Sequence, residues 1–353
     1  MSTQNPPTRG DGDGATPTME DVARQAGVSR GTVSNVLNRP SVVSEVTHER
    51  VQAAITELGF VRNHVARSLV VGRADTIGFV IVDLANSYFL DIVRGAEQVA
   101  DQDAVRLLLG NSDVDLAKQD SYLDLFEESR VAGILLAPLD APMDHAEQVR
   151  RRKLPVVYVN WPGVEGESCG VVVDEELGGG LAAQHVIDAG CRNLLFAGGP
   201  LSLVALEERL RGVEQVVVRT GGGVNLQVWE TDRITVPAGL SVGSRIAALP
   251  PEQRPDALVA ASDALAAGAV QALLYEGVKV PDDLLVIGYD NNHFASDHVV
   301  PISTISQPGE EMGRIATAML MEEINHDPGH EHRTVVLEPR LIPRTSTKAE
   351  GVR

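Results

Sequence analysis

The sequence predicts a small all-α unit, a helix-turn-helix, followed by an α/β core of two doubly wound parallel-sheet lobes. Three observations support this. Short, capped segments with helical apolar spacing fill residues 18–61. Beyond residue 76, runs of Val, Ile and Leu alternate with helical patterns, as buried parallel strands and their covering helices do. Finally, the charge divides unevenly. The 353 residues carry a net charge of −19, yet residues 18–73 hold seven arginines against five acids. A mildly basic module is joined to a strongly acidic body, which resists non-specific adhesion to polyanions and leaves such contacts to the module.

Residues 1–17 are rich in Gly, Pro, Thr and Asp and lack the basic start and apolar stretch of a secretory signal. They read as a disordered tail. Thr18 begins the first helix as a hydroxyl N-cap, with Glu20 and Asp21 in the first turn. Met19, Val22, Ala23 and Ala26 form its apolar face, and Gly27 ends it in the left-handed conformation. Val28 plugs the turn and Ser29 caps a second helix. There Val33, Val36 and Leu37 face inward, while Arg30, Gly31, Ser34, Asn35 and Asn38 face out. Ser44 caps a third helix with Val51, Ala54, Ile55 and Leu58 inside and Gly59 at its end.

Two short helices joined by a Gly-containing turn and braced by a third present the start of the second helix to a DNA major groove. The outward residues suit that use. Arg30 can donate to a guanine edge, and Asn35 can pair with an adenine edge or hold a phosphate. Ser29, Thr32 and Ser34 are short hydroxyl donors fit for phosphate oxygens. On pattern alone, a plain helical bundle with a solvated polar face remains open.

Asp21-Val22-Ala23, Ala26-Gly27-Val28-Ser29 and Thr32-Val33-Ser34-Asn35-Val36-Leu37-Asn38 together resemble the DNA-binding headpiece of the LacI/GalR family of bacterial transcription repressors. Residues 59–69 are similar to the family's hinge, which implies a short helix that folds on DNA as a pair, one copy per subunit. In that reading Asn63 caps the helix, and His64 and Ala66 lie at the DNA. Leu69 wedges between base pairs in the minor groove. Val65, Ala66 and Leu69 form too small an apolar stripe to hold such a helix alone. The chain departs from the family at Arg62, where proline is usual, and at Asn35, where arginine is usual, beside an unusual Gly31. These departures imply a different operator half-site.

In the body, strands are predicted over 76–82, 105–109, 133–137, 156–160, 170–173, 193–197, 226–229, 257–260 and 285–289. Helices are predicted over 89–100, 116–128, 177–189, 204–217, 264–276 and 310–324. So many units exceed one compact sheet, hence two lobes. Ligands of such folds sit beyond the carboxyl ends of the strands, which makes the cleft between lobes the natural pocket. Asp290 and Asn160 each follow an apolar strand, and Arg209 lies on the exposed side of a helix. A carboxylate and a guanidinium from one lobe can grip vicinal hydroxyls. Trp161 lies beside Asn160, and Tyr88 and Phe89 could stack on a sugar face; the alternative is plain core packing, which suits Phe89 better than Tyr88.

The body also resembles the family's effector core, itself similar to periplasmic sugar-binding proteins, across roughly 76–344. Asn86-Ser87-Tyr88-Phe89, Val173-Asp174, Arg209 with Gly212, Ser262-Asp263 with Gly268, and Gly288-Tyr289-Asp290 follow in family order. The resemblance implies three crossovers between lobes, near Asp174, Gln307 and Val335. Lobe 1 would span about 76–173 and 306–330, and lobe 2 about 174–305 and 331–346, with a tail over 347–353. It also implies an effector site of Tyr88, Phe89, Asn160, Trp161, Arg209, Asp263, Asp290 and Gln307. Family members that bind purines place Arg and Thr shortly before the matching arginine. This chain has Leu203 and Ala205 there, so a sugar or related polyol is the favoured class.

Other chemistries find little support. Gly178-Gly179-Gly180 lacks the lysine and spacing of a phosphate loop and fits a permissive helix start packed close to a strand. His185 has no second ligand-type residue at metal spacing. Cys169 and Cys191 cannot build a disulfide framework or a four-thiolate zinc site and read as inert core thiols. No elbow or Cys/His pair suggests covalent catalysis, and no cofactor or metal is expected. The reading is a cytoplasmic, nucleoid-associated repressor, not an enzyme and not bound to membrane. It would act as a homodimer on double-stranded operator DNA under control of a small effector. No leucine heptad tail suggests a tetramer. The alternatives are a cytoplasmic solute-binding or sugar-converting protein with purely structural N-terminal helices, or an architectural DNA-binding protein with a vestigial pocket.

Overall fold

The computed structural model describes residues 17–60, 74–139 and 143–347. The chain divides into two units, the first ending at Gly72 and the second beginning at Arg73. Asn63, His64, Ala66 and Leu69, with the rest of the expected hinge, lie outside the described residues.

Among its described residues the first unit has three α-helices, α1 (Met19–Ala26), α2 (Arg30–Asn38) and α3 (Glu45–Leu58). Thr18 and Asp21 cap α1 reciprocally: the Asp21 N–H donates to Thr18 Oγ1 at 3.3 Å, and the Thr18 N–H to Asp21 Oδ2 at 3.0 Å. That capping box satisfies two backbone groups at the helix start. Gly27 has φ 63°, a backbone that costs glycine nothing. Val22, Ala23, Ala26, Val33, Val36, Val51 and Ala54 form the core, with Val28, Leu37 and Ile55 half-buried around it. So small a core gains from a clamp. Arg50 on α3 donates to the carbonyls of Ala26 and Gly27, which have no partner inside α1, and so ties the turn to the third helix.

The second unit contains two six-stranded sheets. The first lobe comprises β1 (Thr76–Ile81), α4 (Ser87–Gln102), β2 (Arg106–Asn111), α5 (Leu116–Glu128), β3 (Ile134–Leu136), α6 (Asp144–Arg151), β4 (Val156–Val159) and β5 (Gly170–Val173). The second comprises α7 (Glu175–Asp188), β6 (Asn193–Gly198), α8 (Val204–Arg219), β7 (Asn225–Glu230), α9 (Val236–Ala247), β8 (Ala257–Ala260), α10 (Asp263–Tyr275), β9 (Leu285–Asp290), α11 (His293–Ser296) and β10 (Ser303–Ser306). The chain then returns through α12 (Gly309–Ile324) and β11 (Thr334–Leu337), and ends its described course with β12 (Arg340–Ile342). The sheet orders are β11-β5-β4-β3-β1-β2 and β12-β10-β9-β8-β6-β7. Among the described residues the named strands all pair in parallel except β10 with β12, and an isolated antiparallel bridge joins Trp161 to Val171 of β5. Successive side chains along a strand feed opposite faces. Phe79 and Ile81 therefore pack with Ile92 and Met312 on one side of the first sheet, and Val80 packs with Leu123 and Phe126 on the other.

One boundary is corrected. Residues 331–346 were expected in lobe 2, with a crossover near Val335. Thr334–Leu337 instead pairs in parallel with Gly170–Val173 in the first sheet, so the chain crosses between Leu337 and Arg340. A four-residue edge strand fits the edge of either sheet by apolar content. The hydrogen-bond partner decides. Helix α9 escaped the sequence reading because Pro237, Gly239 and Gly243 interrupt its apolar pattern. Those glycines are contacts: a Cβ at Gly239 would lie 2.1 Å from the Leu265 carbonyl oxygen, so their absence of side chain lets α9 and α10 pack closely.

Candidate functional site

In the first unit, Ser29 caps α2: the Thr32 N–H donates to its Oγ at 3.1 Å, and the two hydroxyls pair at 2.9 Å. That pairing uses one of the two hydroxyl protons, leaving one of them for an outside acceptor. Arg30, Gly31 and Asn35 are exposed, and Ser34 is half-buried rather than facing fully outward. Asn38 is the last residue of α2, and its side chain lies outside the described set. A Cβ at Gly31 would meet only Ser29 Oγ at 3.6 Å, so no described neighbour requires a glycine there.

In the second unit, the carboxyl ends of β1, β4 and β9 supply polar groups that converge between the lobes. Asp290 closes β9 and is buried, and both of its oxygens are held. Asn86 Nδ2 donates to Oδ2 at 3.1 Å from lobe 1, and Gln307 Nε2 donates to Oδ1 at 2.6 Å from the second crossover. Asn292 Nδ2 also reaches Asn86 Oδ1, at 3.4 Å. Asn86 therefore joins the lobes. It owes its place to capping α4, where its side chain also accepts from the Tyr88 N–H. Tyr88 is buried with its hydroxyl 3.4 Å from Asn160 Oδ1, and Phe89 is packed in the lobe 1 core. Trp161 rests half-buried beside Tyr158 on the other face of that sheet.

Arg209 corrects the expectation most. It is not on an exposed helix side but 5% exposed. Its fork grips Glu175, Nε to Oε2 at 2.7 Å and Nη2 to Oε1 at 3.0 Å, and Nη1 donates to the Ala261 carbonyl at 2.7 Å. The guanidinium lies 3.8 Å over the Tyr289 ring, and Asp290 is a more distant ion partner at 4.0 Å. The triple glycine explains how Glu175 and Arg209 meet. A Cβ at Gly179 would fall 1.9 Å from the Arg209 carbonyl oxygen, and one at Gly212 would fall 1.9 Å from that of Glu176. Helices α7 and α8 touch backbone to backbone at Gly179, while Gly178 packs against Tyr289 of β9, the close approach to a strand that the sequence predicts.

Two buried carboxylates share one guanidinium, and Asp290 is the less well compensated. Its carboxyl is pushed up to about 6 by burial, against the opposing pull of Arg209 and Gln307 and with Glu175 adding to the rise. Gln307 Oε1 is buried with no partner among the described residues, an acceptor left over at the site.

Asp263 is also reassigned within this geometry. It is fully buried, accepting from the Asn292 N–H at 2.8 Å and from Thr304 Oγ1 at 2.6 Å. Burial, then Asp290, push its carboxyl well up. It anchors the 290–292 loop, where Asp290 and Asn291 have φ 106° and 59°, conformations that persist only when surrounding bonds hold them. Arg344 adds a bond to Asn291 Oδ1. His185 bonds Thr347 Oγ1 at 2.6 Å. Cys191 is a buried thiol pushed up to about 11 by burial. Cys169, by contrast, is not an isolated core thiol, because two imidazoles lie against it.

Comparison with known proteins decides the family. Residues 18–63 match the family described as bacterial regulatory proteins, lacI family, and residues 183–347 match a periplasmic binding protein-like domain. The chain is 34% identical over 334 residues to the HTH-type transcriptional repressor PurR of Photobacterium profundum, covering 94% of this chain and 98% of that protein. The chain belongs to the LacI family. It is a DNA-binding transcriptional regulator with an effector-binding core, not an enzyme. The ribose operon repressor of Escherichia coli (strain K12) is 33% identical over 330 residues, 93% and 99% of the two chains. Among solved structures, a CelR–cellobiose complex aligns with a TM-score of 0.68 at 30% identity, covering 94% and 99%. The Lac repressor dimer bound to operator and the anti-inducer ONPF aligns at 0.77 and 26%, covering 95% and 100%. Among the described residues of this LacI-family chain, no helix is long and apolar enough to cross a membrane.

For this LacI-family core, sequence reasoning missed Glu175 and Asn86 as site residues. Glu175 follows the crossover residue Asp174 in the first turn of a helix, which reads as a dipole-favoured acid. Only its partner reveals it. Asn86 could have been found as an N-cap at a strand's carboxyl end.

Proposed function

We propose that this regulator represses transcription in the cytoplasm, at the nucleoid, as a homodimer whose two headpieces bind a pseudo-palindromic operator. Arg30 and Asn35 read base edges, Ser29, Thr32, Ser34 and Asn38 hold phosphates, and Gly31 lets the helix backbone approach the duplex closely. Asn63, His64, Ala66 and Leu69 act at the central minor groove as a paired hinge. The effector is a sugar or related polyol held between the lobes by Asp290, Gln307 and Asn160, with Arg209 and Asp263 fixing Asp290 and its loop, and Tyr88, Phe89 and Trp161 shaping the lobe 1 wall. The relatives named for ribose and cellobiose support this class.

The observation that carries the reading is the buried Asp290 at the junction of the lobes, bonded to both Asn86 and Gln307 and lying beside the unmatched Gln307 acceptor. A hydroxyl-rich ligand can accept from Gln307 Nε2 and donate to Asp290 and Gln307 Oε1, thereby replacing the direct bonds between the lobes. It changes operator affinity only by as much as it favours one lobe arrangement over the other. Selection of random duplexes by the purified full chain, with and without a panel of pentoses, hexoses and disaccharides, tests the proposal. A recovered palindrome whose affinity one sugar shifts supports it. No preferred duplex under any condition would overturn it.

The Asp290 carboxyl also sets a pH dependence. Hydroxyl donors bind the ionised form better, so sugar affinity should fall as pH drops through about 6. The stability effect has the opposite sign. A folded-state value above the unfolded 3.8 means that this carboxyl's contribution is fully present below pH 3.8 and is lost as pH rises through about 6. Calorimetric titration of the identified sugar between pH 5 and pH 8 (roughly the range over which such a group ionises) checks this. A flat profile in wild type would remove Asp290 from the binding site.

A further inference from the structure

Cys169 immediately precedes β5, while His330 and His332 lie in the segment between α12 and β11, which pairs with β5. The backbone fixes the two segments side by side, because the Gly170 N–H donates to the Arg333 carbonyl at 3.0 Å, while the Tyr158 N–H of β4 holds the Cys169 carbonyl at 2.9 Å from the other side. The three side chains point at one another. Cys169 Sγ is 3.8 Å from His330 Nε2 and 3.8 Å from His332 Nδ1, and the two nitrogens are 3.4 Å apart.

These separations suit a metal better than they suit one another. Zinc bonds of ~2.3 Å to sulfur and ~2.0 Å to nitrogen, spread at a tetrahedral angle, put sulfur about 3.6 Å from each nitrogen and the nitrogens about 3.3 Å apart. The triangle matches one face of such a tetrahedron to within a few tenths of an ångström. The orientation of His330 fits as well. Its Nδ1 lies 3.0 Å from Glu322 Oε2, and Arg333 holds that carboxylate from the other side at 3.3 Å. A proton on Nδ1 shared with Glu322 leaves the Nε2 lone pair aimed at the centre, the carboxylate–histidine–metal arrangement that orients ligands in known sites. With His332 in the tautomer that carries its proton on Nε2, its Nδ1 lone pair, the His330 Nε2 lone pair and the Cys169 sulfur converge on one point. Cys169 is fully buried, whereas the imidazoles are half-buried and open the cluster to the surface.

We propose that Cys169, His330 and His332 form a zinc(II)-type site, one per chain, with the cysteine bound as thiolate, its proton released to solvent, and water in the fourth position. All strands of the first sheet are parallel, so the site lies at their amino ends, opposite the effector cleft, and at the end where β1 begins the core. A bound ion ties the start of edge strand β11 to β5, just ahead of the third crossover, and so stiffens a segment on which the lobes' connection depends.

Cobalt(II) reports such a site directly, because a tetrahedral thiolate complex shows a near-ultraviolet charge-transfer band and intense visible bands. The full chain, stripped with a chelator and titrated with cobalt(II) alone, is expected to develop both at one equivalent, to lose them on adding zinc(II), and to melt at a higher temperature with zinc than without it. Cys169→Ser abolishes the charge-transfer band, while Cys191→Ser keeps it. Glu322→Gln weakens affinity roughly 10–100-fold. His332→Ala, at a half-buried loop position, serves as second variant should Cys169→Ser fold poorly, and is expected to lose the tetrahedral spectrum. Absence of stoichiometric cobalt binding by folded wild type, or an unchanged thiolate band in Cys169→Ser, would overturn the site.

Discussion

Arg209→Ala is expected to destabilise the second lobe by about 3–5 kcal/mol, the usual consequence of leaving buried charge unpaired. The reason is the arrangement around it. Glu175 and Asp290 are both buried, and Arg209 supplies the only cation bonded to Glu175, through two hydrogen bonds, as well as the only ion pair to Asp290 among the described residues. Its loss also frees the Ala261 carbonyl and the face of Tyr289. Urea unfolding of the full chain should show an early transition that wild type lacks. Removing the orphan as well, in Glu175→Gln/Arg209→Met, should recover part of the loss, because a paired deletion leaves less uncompensated charge than a single one. Equal stability of Arg209→Ala and wild type would contradict the buried-network reading. For the same reason Arg209 is a poor probe of effector binding. Asp290→Asn is cleaner. It keeps the volume and removes the acceptor charge, and is expected to bind operator normally while losing its response to sugar.

Arg30→Ala is expected to weaken operator binding by about 1–3 kcal/mol and to relax preference at a single base pair of each half-site. The residue is exposed at the first position of α2, and it reaches outward from the end of the helix that enters the groove. A change that only removed a phosphate contact would instead weaken all sequences alike and flatten the salt dependence. Competition binding of wild type and variant to operators substituted one base pair at a time, repeated at two salt concentrations, separates the outcomes. Undiminished affinity with unchanged preference would mean that α2 does not present Arg30 to the bases.

The particular elements explain how far local pattern reaches. The caps at Thr18 and Ser29, the glycine stops at Gly27 and Gly59, and the apolar stripe of Val33 and Val36 lie within a few residues of their effects, so the headpiece was legible. Long buried strands such as Leu285–Asp290 were legible for the same reason: both faces are covered, and the sequence is continuously apolar. The failures share one cause. Edge strand Thr334–Leu337, the contact of Gly179 with helix α8, and the roles of Glu175 and Cys169 all depend on a partner far along the chain. Neither spacing nor composition carries that information.

What the amino-acid order determined alone is therefore the identity of each local piece and the sign of its charge: a basic three-helix module and an acidic body of alternating strands and helices. Backbone propensity, capping and hydrophobic periodicity are short-range forces, and they act before any distant contact forms. Which carboxylate Arg209 grips, which sheet takes the last parallel strand, and which imidazoles meet Cys169 were decided only in the folded core. There close packing of glycine backbones and the high cost of an unpaired buried charge select one arrangement among several that the local patterns allow.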